Sequence, residues 1–540
     1  MKSLNINIIL CSILLVTSFI VNIALDIYIV PRRFVRTDQE QHYYDMKRWY
    51  ESKKFPVTSA RFTNSHTIDN EFETGRVPGG AYYVFYILFY KLASESLLGA
   101  KIINLIFSLL ILFVFLFWFY KKYGLTITSF LGALLLINPY FIMSSTDFWN
   151  PNSALIFSFL LFIFLYEYIN SKNENIVKFS AVIIFPIVAI IAQFHFFTFF
   201  SIVPTIIVYL IIRFKRTKKY FIFWVIGVFL SFLEYVPYLV NELQNDFFNM
   251  KMIFSTKSSF SSFPFPQIHS IILLTTNEMS IYHSSNMEGI VNFWKSIPYS
   301  PFIITFLFLT ILFSAFCFIR SIYIFFSKKY DKNSPNENTL IEMIFIILIY
   351  IPVTIFFNIV FVSKVGAFHY FFPFFIMFYV PIILFLVQKI KLLESKNKIR
   401  LIFFIIFMLN ILANVLQLSF YIKNYEEPMN IANMKNIIKS IYDDSKGIDV
   451  NLISIYGERT STYCDISKIY FPEYTLNCNN GTNLYVLIDF IKLKNSYDPA
   501  YPKYINYLAT NSKTIYTNKY ILVYKFNHDT NELLNLEHFK

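Results

Sequence analysis

Long apolar stretches separated by short polar ones dominate the chain, and their lengths set its architecture before any motif is considered. The runs are Ile6–Leu25, Leu98–Tyr120, Leu125–Met143, Pro151–Tyr166, Ile176–His195, Phe196–Ile212, Phe221–Val240, Pro301–Phe326, Leu340–Phe361, Tyr370–Val387 and Leu401–Tyr421. Most approach the ~20 residues that an α-helix needs to cross the hydrocarbon core of a bilayer. Inside that core every backbone N–H and C=O must find its partner within the segment, so helices are the expected form. The pattern predicts a polytopic all-α membrane bundle of about eleven spans. The pair of runs around His195 is short enough to form a single re-entrant hairpin instead. The apolar stretch after Lys2 is long and has no small-x-small cleavage site before Asp26, so it is expected to stay as an uncleaved first span.

The charged residues give this bundle a direction. Lys121 and Lys122, Lys172 and Lys178, the cluster Arg213 to Lys219, Lys328, Lys329 and Lys332, and the cluster Lys389 to Arg400 all fall in alternate loops. The intervening short loops hold only Lys364. Cytoplasmic loops carry such an excess of Lys and Arg, which predicts a cytoplasmic N-terminus and an extracytoplasmic C-terminal region. The formal charge of +13 therefore reflects membrane topology rather than a nucleic-acid partner. A content of 56% hydrophobic and 15% charged residues fits the same class, since soluble domains carry about a quarter charged residues. A multi-pass protein of a bacterial inner or plasma membrane is expected.

Three polar regions fall on the external side: residues 30–97, 241–300 and 425–540. The bundle with its two large loops (1–424) and the tail (425–540) are expected to be separate domains. The tail alternates strand-like runs (Val450–Tyr456, Leu484–Ile488, Tyr520–Tyr524) with polar helical segments, which predicts a small α/β domain. An external location favours a Cys464–Cys478 disulfide over two free thiols. Cys11 and Cys317 lie in apolar runs and read as buried thiols. Asn480-Gly481-Thr482 matches a glycosylation sequon by pattern alone.

Candidate chemistry concentrates in the first external loop. Arg32, Arg33 and Arg36 stand outside the membrane against the charge rule, and attraction to anionic lipid headgroups accounts for Arg32 and Arg33. Thr37-x-x-Glu40 fits a capping box, in which the Thr hydroxyl and the Glu carboxylate satisfy free backbone N–H groups. That device leaves Asp38 with its carboxylate unassigned, just above a span and near several arginines, where a general base can work. Further on come Arg61 and the segment Arg76-Val77-Pro78-Gly79-Gly80-Ala81-Tyr82-Tyr83. A second external acid, Asp147, lies in Ser145-Thr146-Asp147-Phe148-Trp149-Asn150-Pro151-Asn152, which also reads as a polar helix-initiating loop. Lys364 and His369 face the same side, suited to a phosphate or to ordinary interfacial anchoring. Glu234, in the outer part of a span, must be paired or line a cavity, because a mid-membrane charge costs ~2.5–3.5 kcal/mol. His195, Glu278 and His283 are weaker signals, without metal-ligand spacing.

A first span, an acidic motif opening a juxtamembrane helix, and a basic residue with Pro ahead of a Tyr-Tyr segment resemble the GT-C polyprenyl-phosphate-sugar glycosyltransferases. The narrower likeness is to family 39, which includes protein O-mannosyltransferases and the aminoarabinose transferases of lipid A. The resemblance implies a GT-C-like bundle with a small extracytoplasmic α/β domain. It also implies an inverting transferase that moves a sugar from a polyprenyl-phosphate donor to a lipid, glycan or protein acceptor. On this resemblance Asp38 is the general base and Arg76 meets the leaving phosphate with Arg61 or Lys364. Glu40 and Asp147 join the catalytic group, and Tyr82, Tyr83 and His369 join the substrate-binding set. The family's adjacent acidic pair is here Asp38-Gln39-Glu40, and its Pro-Pro is Pro78-Gly79. No cofactor is expected, and no metal site is evident. A transporter or flippase of lipid-linked saccharides would predict internal repeats and broken mid-membrane helices, neither of which the sequence displays. A surface-polysaccharide polymerase or ligase shares the substrate class and remains an alternative.

Overall fold

A computed structural model describes residues 2–33, 37–61, 75–255, 268–283, 287–357, 367–455, 460–478, 483–489, 507–518 and 520–526. Nine helices among the described residues are long and apolar enough to cross a membrane. The longest, Leu97–Leu136, would run about 60 Å if straight, twice the hydrocarbon thickness. It is not straight. Gly124 has φ 77° and ψ 176°, which breaks the helical path, and a residue without Cβ adopts that conformation at little cost. Leu116 lies 3.5 Å from where a Cβ on Gly132 would stand. Positions 116 and 132 lie equally far from Gly124 on either side, so the chain folds back there into a helical hairpin. Its second arm follows the first span, with Asn7 Nδ2 donating to Thr126 Oγ1 and Asn22 Nδ2 to the Leu136 carbonyl.

Counting the two arms separately and including the short apolar helix Thr198–Ile212 raises the nine to the expected eleven. His195 and Phe196 thus separate two helices, Glu174–Phe194 and Thr198–Ile212. Asn138 interrupts the expected run Leu125–Met143. It caps a new helix, Pro139–Ser145, by accepting from the N–H groups of Tyr140 and Phe141. Outward-facing side chains such as Ile222, Phe229, Ile319 and Phe326 are strongly exposed, as expected of a surface solvated by lipid rather than water. The chain is an integral multi-pass membrane protein.

Two compact units are present. The first comprises Met1–Val30, Met46–Thr63 and Phe72–Ser419, and the second is formed chiefly by Pro31–Asp45 and Phe420–Lys540. In the first, strand β1 (Thr58–Arg61) pairs antiparallel with β2 (Arg76–Pro78), and helix Ala81–Leu92 follows.

In the second unit, β3 (Val450–Ile455), β4 (Asn483–Asp489), β5 (Ser512–Thr517) and β6 (Ile521–Phe526) form a sheet in the order β3-β4-β6-β5. β3 and β4 are parallel, and the other two pairs are antiparallel. Strand β5 was not evident in the sequence, because its Ser-Lys-Thr-Ile-Tyr-Thr run carries no buried stripe. Helix Ile431–Ser445 starts at Asn430, whose side chain caps the Asn433 N–H. It buries Met434, Ile437, Ile438 and Ile441, positions spaced to share one helical face, in a core with Val450, Tyr485 and Val523. The opposite face of the sheet packs Val486, Ile488, Leu508, Tyr524 and Phe526.

Cys464 and Cys478 are joined by a disulfide, with Cα atoms 6.1 Å apart. Because it closes a loop of 14 residues, Cys464→Ser is expected to cost about 2–4 kcal/mol. Faster proteolysis of the tail in the full-length protein would report that loss. The sequon at Asn480 lies outside the described residues.

Candidate functional site

In the first unit the chemistry-bearing residues collect at the end of the bundle opposite the basic loops. Asp147 is fully buried, and its Oδ1 accepts from Lys101 Nζ at 2.9 Å and from the Phe148 N–H at 3.0 Å. Lys101 is only 5% exposed. Around the pair, Asn104 Nδ2 donates to the Ser145 carbonyl, and Asn152 Nδ2 to the carbonyl of Asp147. A buried ion pair held by further hydrogen bonds fixes both side chains in place. Lys101 escaped sequence reasoning, although a lone cation one turn into an apolar run on the external side carries the same anomaly that marked Arg32.

The segment from Arg76 to Tyr83 is built as strand, turn and helix. Asn249 clamps the strand, accepting the Arg76 N–H at 2.7 Å and donating to the Arg76 carbonyl at 3.0 Å. Arg61 is the cross-strand partner of Arg76, so the ladder sets two guanidinium-bearing residues opposite each other. Gly79, at φ 87°, makes the turn, and a Cβ on Gly80 would collide with the Pro56 carbonyl oxygen. This explains the departure from Pro-Pro at Gly79: a proline ring fixes φ at about −65°, and the Gln193 side chain stands 2.5 Å from where a Cβ on Gly79 would lie. Gln193 Oε1 then accepts the Ala81 N–H at the start of the helix, and its Nε2 donates to Glu234. Glu234 is thus paired with a structural amide. Tyr82 and Tyr83 are fully buried. Tyr82 donates to the Phe148 carbonyl at 3.1 Å, next to Asp147.

These contacts close a ring. Trp149 packs edge-on against His369 (4.8 Å between ring centres), and His369 meets His195 at 5.5 Å. His195 stands two residues from Gln193, which holds Ala81, and Tyr82 returns to Phe148. His195 is buried, and among the described residues its Nδ1 has no hydrogen-bond partner. Lys364 lies outside the described residues. Among the described residues no group of three or more His, Cys, Asp or Glu is placed to hold a metal ion.

Glu278, weak in the sequence, is fully buried beside this ring. Its carboxylate accepts from the Ser280 N–H and hydroxyl and, at 3.4 Å, from the Tyr140 hydroxyl. Burial raises its pKa from 4.5 to about 7, against those hydrogen bonds. The folded state therefore holds a proton that the unfolded state releases above pH 4.5, so its contribution to stability falls as pH rises towards 7. Glu278→Gln should flatten that decline, read as a thermal midpoint that changes less between pH 5 and 8 than in the wild type.

The second unit holds the other two acids. Helix Thr37–Ser52 carries both in its first turn, where the helix dipole favours carboxylates. Asp38 is half-buried, and no described residue hydrogen-bonds or ion-pairs with it, whereas Glu40 is buried and engaged. Arg33 is not at a lipid headgroup. It is buried and paired with the equally buried Glu426 at 3.2 Å, and Arg32 reaches Glu427 at 4.0 Å. The two arginines are spent on holding the start of the tail, a partnership across 393 positions that no local pattern reveals.

No family model matches the chain, and no curated protein matches it significantly in sequence. Among solved structures, ArnT from Cupriavidus metallidurans bound to undecaprenyl phosphate is similar over 95% of this chain and 98% of its own, with a TM-score of 0.50 and 10% identity. The chain has the fold of ArnT. The apo structure of the same protein is similar at 12% identity and a TM-score of 0.46, over 97% and 98% of the two chains. The ArnT-like fold is a polytopic membrane architecture of the kind the apolar runs predicted, and the likeness covers 95% of the chain, C-terminal unit included. At such low identity the likeness to ArnT concerns the fold.

Proposed function

We propose that this protein is a membrane glycosyltransferase that moves a sugar from a polyprenyl-phosphate donor to an acceptor on the external face. The observation that carries this reading is the closed ring of contacts tying Asp147, Trp149, His369, Gln193 and the Arg76–Tyr83 segment together at one end of an ArnT-like bundle. The ArnT structure with undecaprenyl phosphate bound supports the donor class. In the reaction the acceptor oxygen or nitrogen bonds to the anomeric carbon while the bond from that carbon to the phosphate oxygen breaks, inverting the configuration. Asp38 takes the acceptor's proton. Arg76, with Arg61 opposite it, stabilises the departing phosphate by charge-assisted hydrogen bonds. The Asp147–Lys101 pair is a fixed polar element that orients the sugar. The N-terminus lies in the cytoplasm and the tail outside, as the basic loops require.

The test is to supply the protein, reconstituted in vesicles, with a polyprenyl-phosphate sugar and a mixture of candidate acceptors. Loss of the donor with accumulation of free polyprenyl phosphate is the expected result. Donor recovered intact in the opposite leaflet would make the protein a transporter instead.

A further inference from the structure

A polar cavity lies at the other end of the first unit, among the basic loops. Its volume is about 430 Å³, within the range of ~300–1,000 Å³ typical of small-ligand sites. Asn170, Tyr209, Arg213, Arg216, Asn338 and Glu342 are among the residues that line it. The end of helix Asn150–Asn170, the end of Thr198–Ile212 and the start of Pro335–Phe357 therefore converge on it. None of these residues takes part in the ring around Asp147.

The two arginines are in different states. Arg213 is neutralised by a two-pronged pair with Glu342, its Nη2 lying 2.8 Å from the second carboxylate oxygen. Among the described residues no carboxylate pairs with Arg216. Its Nη2 donates to the Tyr168 carbonyl, its guanidinium lies 4.9 Å from the centre of the Tyr168 ring, and its Nε has no hydrogen-bond partner. A guanidinium fixed from one side and left uncompensated gives the cavity a net positive charge. Lys215, Lys218, Lys328, Lys329 and Lys332 in the adjoining loops add to that field, whereas Lys219 is paired with Glu174 at 2.6 Å. Beside the cavity Ile211, Ile212 and Phe214 are more than half exposed, a surface made for acyl chains.

We propose that this cavity binds the phosphate of an acidic phospholipid headgroup from the leaflet that the basic loops mark as cytoplasmic, with Arg216 as the principal cation. Basic pockets between membrane helices on the cytoplasmic side take such headgroups, and a planar guanidinium suits a phosphodiester better than an ammonium does. The proposal is independent of the glycosyltransferase reading, because it concerns the opposite end of the bundle.

The experiment uses the full-length protein in nanodiscs of phosphatidylcholine alone or with added phosphatidylglycerol, and in detergent with inorganic phosphate. Retained lipid is read by native mass spectrometry, and stability by the thermal midpoint. Phosphatidylglycerol should be retained preferentially and raise the midpoint, and Arg216→Ala should weaken its retention about fivefold. Should Arg216→Ala fail to fold, Asn338→Asp, which adds a carboxylate to the wall with both arginines kept, must weaken retention in the same direction. Equal retention by wild type and variant, or equal retention of phosphatidylcholine, would overturn the proposal. A full midpoint shift from inorganic phosphate, with nothing added by phosphatidylglycerol, would assign the site to soluble phosphate and overturn the lipid as its source.

Discussion

Asp38→Asn is expected to lower sugar transfer by about 10²–10⁴-fold, the usual contribution of a positioned general base. The substitution keeps the size and shape of the side chain and removes only its ability to accept a proton. Asp38 suits the role because it is half-buried and engaged by no described residue, while the neighbouring acid is committed to the interior: Glu40 is 2% exposed. The variant should reach the membrane in normal amounts, since no described contact depends on Asp38. Turnover of a polyprenyl-phosphate sugar, normalised to folded protein, measures the effect. A variant within a few-fold of wild type would remove Asp38 from the mechanism, and Asp147 would become the next acid to test.

The second large effect is expected at Lys101. Lys101→Met leaves Asp147 fully buried without its cation, and breaking a buried pair from one side costs about 3–5 kcal/mol. A lower thermal midpoint in detergent and reduced yield of folded protein should follow. The double variant Lys101→Met with Asp147→Leu removes both charges from the same space and should recover much of the lost stability. Transfer should not recover with it if Asp147 orients the sugar. A double variant that is stable and active would reduce the pair to a structural role. A single Lys101→Met variant as stable as wild type would mean that Asp147 tolerates burial without this partner.

The Arg76–Tyr83 segment was legible as a unit through its resemblance to a family motif, a basic residue with Pro ahead of a Tyr-Tyr segment, whereas its strand, turn and helix start came from the structure. The clamp that holds it was not legible. Asn249 and Gln193 are ordinary amides in unremarked positions, and only packing brings them to Arg76 and Ala81. The same limit misplaced Arg32 and Arg33. Their charge against the membrane rule was visible, but their partners Glu426 and Glu427 lie at the far end of the chain.

The sequence alone determined that this is a multi-pass membrane protein of about eleven spans, which loops are basic, and that a mixed α/β tail follows. Those properties are local: hydrocarbon forces a helix wherever about twenty apolar residues run together, and a β-strand or capped helix announces itself within a few residues. The tertiary structure decided which polar residues meet. Lys101 with Asp147, Trp149 with His369, and Arg216 with an open cavity wall are each set by how helices pack, and packing depends on side chains that are far apart in the chain and share no periodicity.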